Sequence, residues 1–193
     1  MAIRLLVALI FTVQSAASAV FEVDLWPGEG QPVFEAAALQ LRLHERPLTT
    51  SKVVETLAVR PKQQLSFDET RYQTIKVGLF RGLAPTTVTG RKLGALSRLS
   101  KADYYSGRFG QARVDVAAGN VIEYLQYRAE GTCFIRIETS VIDADPCPTQ
   151  KKGQFSLEVE PTTEWWIQIT RAGKPVGWLL ITASTAKVIA RKG

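Results

Sequence analysis

The sequence predicts an all-β protein. Three observations carry that prediction: polar and apolar residues alternate with period two in many short runs, turn-forming residues break the runs, and no long amphipathic helix occurs. Leu39, Leu41 and Leu43 alternate with Gln40, Arg42 and His44, as on a strand with one face in a core. His44 falls on the outward register of that strand. Similar runs follow at 73–77, 112–116, 121–127, 132–138, 155–159, 165–170 and 178–182. Pro27-Gly28-Glu29-Gly30, Gly90, Ser106-Gly107, Ala118-Gly119-Asn120, Asp145-Pro146 and Ala172-Gly173-Lys174-Pro175 separate them. Regular short strands with such breaks build sandwiches or barrels. One short helix is predicted near 100–105, where Ser100-Lys101-Ala102-Asp103 has the outline of a capping box.

Composition narrows the class. The chain has 193 residues, 46% hydrophobic and 22% charged, with 14 Gly, 9 Pro, 2 Cys and one His, which excludes disordered, collagenous and disulfide-dense chains. Arg4 precedes an apolar run from Leu5 to Val13, and Ala17-Ser18-Ala19 has the small-x-small form of a signal-peptidase site. Residues 1–19 therefore read as a secretory signal peptide, with a mature chain from Val20 that is periplasmic or secreted. No later stretch approaches the roughly 20 apolar residues of a membrane span, so no transmembrane segment is expected in the mature chain.

Without Arg4 the mature chain has 23 Lys and Arg against 18 Asp and Glu, a net charge of +5. The charge is uneven. Nine bases and one acid, Asp103, lie between Arg71 and Arg113, interleaved with Tyr72, Phe80, Tyr104, Tyr105 and Phe109. Such a stretch predicts a cationic surface, with Arg91, Lys92, Arg98 and Lys101 as candidate binding residues. Outside the cytoplasm its anionic partner is an envelope polymer rather than nucleic acid. Binding on that surface weakens steeply with salt, and replacing those four residues by Gln costs little stability.

Cys133 and Cys147 are the only cysteines, and an oxidising compartment favours a disulfide between them. Closing a loop of about 15 residues stabilises by about 3 kcal/mol. Metal and catalytic signals are weak. Three scattered Cys and His residues do not make a zinc site, and Asp143-x-Asp145 lacks the glycine and distal glutamate of a calcium loop. Those two aspartates read as turn residues. Neither a Gly-x-Ser-x-Gly elbow nor a phosphate-cradling loop occurs, so the expectation is a protein with no enzymatic activity, no cofactor and no metal. Trp165, Trp166 and Trp178 are the other candidate binding residues. Side chains alternate along a strand, so one of the adjacent rings Trp165 and Trp166 faces outward as a platform. Trp26, beside Pro27, is read as a tether for the mature amino terminus.

The pattern Ala38-Leu39-Gln40-Leu41-Arg42 is echoed by Tyr124-Leu125-Gln126-Tyr127-Arg128, with apolar runs downstream of each. Leu39-Gln40-Leu41-Arg42, then Pro47-Leu48-Thr49-Thr50-Ser51-Lys52-Val53-Val54 with Leu57, resembles the opening of the bacterial SH3-like family. Trp166-Ile167-Gln168-Ile169, then Gly173-Lys174-Pro175-Val176-Gly177-Trp178-Leu179, resembles its closing hairpin. The spacing from Arg42 to Pro47 is longer than in the family, and the glycine expected after Leu57 is missing. The resemblance implies two tandem small SH3-like barrels, one over 20–110 with a basic extension and one over 111–193, with their boundary near Gly107 to Gly119. A single barrel with a long insertion is the other arrangement it allows. It also implies a non-enzymatic exported binding or scaffolding protein of the bacterial envelope that recognises cell-wall material. The partner is then peptidoglycan or another anionic envelope polymer. The alternative is a protein–protein module, such as an inhibitor or a subunit of an envelope complex.

Overall fold

Alternating runs become sheets once each apolar face finds another to cover it. A computed structural model describes residues 19–27, 30–33, 39–60, 63, 65–182 and 187–190; the expected signal peptide lies outside them except for Ala19. The first strands in chain order are β1 (Phe21–Val23), β2 (Gly30–Val33), β3 (Leu39–His44), β4 (Val53–Val59), β5 (Phe67–Lys76), β6 (Gly78–Gly82), β7 (Thr86–Gly94) and β8 (Arg98–Leu99). A one-turn helix α1 (Lys101–Tyr105) follows. The later strands are β9 (Gly110–Val116), β10 (Val121–Tyr127), β11 (Cys133–Ile137), β12 (Ser140–Ala144), β13 (Phe155–Val159), β14 (Thr162–Arg171), β15 (Lys174–Ile181) and β16 (Lys187–Ala190).

The all-β class is correct, and the helix near 100–105 is present. Its cap is the predicted one: Ser100 Oγ accepts from the Asp103 backbone N–H at 3.0 Å and donates to Asp103 Oδ2 at 2.8 Å. Two small closed barrels in tandem are not what forms. The strands make two open seven-stranded sheets, ordered β4-β3-β15-β14-β5-β1-β8 and β13-β6-β10-β11-β12-β7-β9, while β2 and β16 pair with each other. Pairing also crosses the expected boundary after residue 110, since β7 joins β9 and β5 joins β14.

The two sheets are nested in the chain. Segments resembling the SH3-like opening and closing lie in the same sheet, where His44 on β3 pairs with Trp178 on β15. Gly177 makes that approach possible, because a Cβ there would lie 3.0 Å from Leu43 Cβ and 3.1 Å from the His44 carbonyl oxygen. The chain leaves the first sheet at Val77 and returns at Glu160-Pro161, after building the second sheet from β6 to β13. Only β8 from this stretch returns to the first sheet, parallel to β1. The two crossings touch at Gly78, where a Cβ would meet the Val159 carbonyl oxygen at 2.4 Å. The expected boundary near Gly107 to Gly119 therefore contains β9, which pairs with β7 of the same sheet.

Three apolar clusters result. Leu41, Leu43, Trp165, Ile167, Ile169, Leu179 and Ile181 form the core of the first sheet. Phe80, Val88, Ile122, Tyr124, Ile135 and Ile142 form the core of the second, around the Cys133–Cys147 disulfide, whose Cα atoms are 5.2 Å apart. The third joins the sheets. Leu125, Phe134 and Val141, on the reverse of β10 to β12, pack on Phe21, Val23, Leu99 and Tyr104. Burial of each such large side chain contributes about 1.5–3 kcal/mol. The buried Thr74 hydroxyl adds a polar tie from β5, donating to the Leu125 carbonyl oxygen at 2.8 Å.

Candidate functional site

The joint between the sheets positions a polar cluster. On β12, Val141 and Asp143 point toward α1 while Ile142 and Ala144 point into the second core. Asp143 is only 5% exposed. A lone carboxylate so deeply placed needs partners. Arg91 lies directly opposite on β7 and donates Nη2 and Nε to Asp143 Oδ2 at 2.8 and 3.2 Å. The Tyr104 hydroxyl donates to the same oxygen at 2.9 Å. Arg128, just after β10, places Nε 3.4 Å from Oδ1. Both guanidiniums also lie against the Tyr104 ring, at 3.9 Å for Arg91 and 5.3 Å for Arg128. Burial, followed by the Asp143 charge, pushes the Tyr104 phenol up to about 12, so it remains a donor at neutral pH.

Two clefts open on this cluster. One, of about 710 Å³, is lined by Arg91, Tyr104, Tyr105, Arg128, Asp143 and Asp145, among others. The second, of about 900 Å³, runs to the first sheet past Trp26, Phe67, Thr70 and Arg71, with Arg98 and Lys101 on its wall. Arg128 and Tyr105 line both clefts, which together make up the trough. Tyr105 stands at the junction, 69% exposed, with its ring edge-on to Tyr104 at 5.0 Å. Five bases line the trough (Arg71, Arg91, Arg98, Lys101, Arg128) against six acids (Asp24, Asp68, Glu69, Glu130, Asp143, Asp145). Its charge is nearly balanced.

The expected site residues are divided by the fold. Arg91, Arg98 and Lys101 line the trough, whereas Lys92 is exposed on a separate cleft beside β9. Trp165, Trp166 and Trp178 are 8%, 0% and 6% exposed, so the expectation of one outward ring is corrected. Trp165 enters the first core and donates Nε1 to Thr70 Oγ1 at 2.9 Å. Trp166 lies on the other face and is still buried, with His44 edge-on at 5.4 Å and Glu164 accepting its Nε1–H. Arg71 lies over the Trp178 ring at 5.7 Å. Trp26 stacks on Phe67 at 5.0 Å and meets Trp165 edge-on.

The basic stretch is also not an isolated cationic face. Acids distant in sequence pair with it: Glu22 and Asp24 with Arg71 and Arg98, Asp143 with Arg91, and Glu158 with Arg81. Asp103 pairs with Arg108 at 3.0 Å. A count of charge along the chain cannot register acids that the fold brings in from elsewhere. Sequence reading missed Tyr104, Tyr105, Arg128 and Asp143 as a cluster. A signal for Asp143 existed in Val141-Ile142-Asp143-Ala144, an acid inside a strand-like run, and its reading as a turn residue is corrected. Arg128 carried none. Among the described residues no group of three His, Cys, Asp or Glu could hold a metal ion, and no helix is long and apolar enough to cross a membrane. No protein-family model matches the chain, and neither does any curated protein or solved structure.

Proposed function

We propose that the chain is a non-enzymatic binding module of the bacterial envelope, periplasmic or secreted, and that the trough is its ligand site. The observation that carries this reading is the joining of two clefts at an exposed tyrosine and an arginine, the residue types that dominate binding hot spots. The balanced charge favours a ligand bearing both signs over a uniform polyanion. A peptide segment has that chemistry, whether it belongs to peptidoglycan, as the SH3-like resemblance suggests, or to an envelope protein.

Retention on purified peptidoglycan, compared with retention on immobilised envelope proteins, tests the reading and separates the two sources. The parent protein is expected to be retained on one of them with a shallow salt dependence. Tyr105→Ala removes an exposed ring, leaves the fold intact, and is expected to reduce retention at least tenfold. Retention unchanged in this variant would move the site away from the trough.

A further inference from the structure

The two arginines at Asp143 are used differently. Arg91 spends every nitrogen on the fold, with Nε and Nη2 on Asp143 Oδ2 and Nη1 donating to the Tyr104 carbonyl oxygen at 3.2 Å. Arg128 engages only Nε, which donates to Thr132 Oγ1 at 3.1 Å. Its two Nη groups donate to nothing among the described residues, and the side chain lines both clefts. Asp143 does not complete it. Tyr104 and Arg91 occupy Oδ2, while Oδ1 is buried without a hydrogen bond. Two guanidiniums therefore share one carboxylate.

The open end of Arg128 is held in place. Its backbone N–H donates to the Thr132 carbonyl oxygen at 3.1 Å, and Thr132 Oγ1 donates to the Ala129 carbonyl oxygen at 2.6 Å. Gly131 accepts from the Cys147 N–H at 2.7 Å, and the disulfide from Cys133 begins one residue after Thr132. A fork fixed in this way loses little side-chain entropy on binding. Planar guanidinium matches planar carboxylate through two parallel N–H donors. Asp143, whose Oδ1 lies 3.4 Å from Arg128 Nε, opposes a dianion more than a monoanion.

Resting on the peptide reading above, we propose that the Nη groups of Arg128 bind a carboxylate of the ligand while Tyr105 packs against the adjoining peptide. Four probes test this on the exported, disulfide-bonded protein at low ionic strength: acetate, acetamide, inorganic phosphate and glucuronate. The readout is the ¹⁵N arginine side-chain signals. Acetate is expected to shift Arg128 saturably, acetamide to leave it unmoved, and phosphate to bind more weakly. Arg128→Lys keeps the charge without the fork and is expected to weaken acetate binding about tenfold. Acetyl-Gly-Gly-Ala with a free carboxylate should bind more tightly than its amide and than glucuronate.

Non-saturable shifts spread over exposed arginines overturn the proposal, as does phosphate binding more tightly than acetate or unchanged affinity in Arg128→Lys. Tighter binding of glucuronate would overturn the peptide source and assign an acidic sugar. The acetate titration of the parent needs no variant, so poor folding of Arg128→Lys leaves the proposal falsifiable. Loss of peptidoglycan or protein retention in Tyr105→Ala, with no response of Arg128 to acetate, would overturn the carboxylate anchor alone. Retention unaffected in both variants would overturn the trough reading as well.

Discussion

A carboxylate inside an apolar strand is costly unless its oxygens are matched, and Asp143 shows how this chain meets that cost. Arg91 and the Tyr104 hydroxyl share one oxygen, and Arg128 approaches the other. Tyr104→Phe removes a hydrogen bond to a charged acceptor and is expected to destabilise by about 2 kcal/mol in urea unfolding. The pH dependence has a definite sign. The Tyr104 pKa is raised by folding to about 12, first through burial and then through Asp143. Its contribution is therefore full below about pH 10, the unfolded value, and is lost as pH rises from there to about 12. Tyr72 and Tyr124 are raised too, chiefly by burial, so Tyr104→Phe should flatten the alkaline loss without abolishing it. An identical alkaline profile in the variant would show that folding does not raise the Tyr104 pKa.

Strand β7 illustrates what local patterning leaves out. Thr86–Gly94 carries a glycine at its centre and two adjacent bases, so it does not read as a strand. Tertiary contact makes it one: Gly90 pairs with Ala144 on β12 and Ala112 on β9. Its φ is +155°, and a Cβ would lie 2.1 Å from the Asp143 carbonyl oxygen. Only glycine allows β7 so close to β12, and that approach puts Arg91 opposite Asp143. Gly90→Ala is expected to cost about 3 kcal/mol, by forced overpacking against backbone. Gly110→Ala, in neighbouring β9, meets nothing within 4 Å and should change stability by less than about 0.5 kcal/mol. Equal effects of the two substitutions in urea unfolding would refute the steric account.

Nesting one sheet within the chain of the other explains why charge counted along the sequence misleads. Glu22 and Asp24 precede the basic stretch by about fifty residues, yet β1 lies between β5 and β8 and delivers both to Arg71 and Arg98. The four candidate bases are correspondingly unequal. Lys92→Gln and Lys101→Gln should each cost less than about 0.5 kcal/mol, and Arg98→Gln, in an exposed ion pair, less than about 1 kcal/mol. Arg91→Gln is expected to cost about 3 kcal/mol, because it strips the main partner from a buried carboxylate. The quadruple variant should therefore be clearly destabilised, contrary to the expectation from exposed charge, with almost all of the loss reproduced by Arg91→Gln alone. Chemical unfolding of the four single variants checks this directly.

Local order was legible because it depends on neighbours in sequence. Strand β10 at Val121–Tyr127, strand β13 at Phe155–Val159 and the Ser100-capped turn follow from alternation and capping, whose causes lie within a few residues. The single pairing open to two cysteines was legible as well. Tertiary structure alone decided which strands became partners. Period-two alternation states which face of a strand is apolar and says nothing of what covers it. The segments resembling an SH3-like opening and closing could therefore head separate modules or share one sheet until β3 met β15. The adjacent rings of Trp165 and Trp166 do face opposite sides, as alternation requires, but burial of both depends on packing from distant residues. The trough had the same origin. Tyr105, Arg128 and Asp143 come from three segments with no common motif, and only the packing of α1 and the 128–132 turn over β12 brings them together.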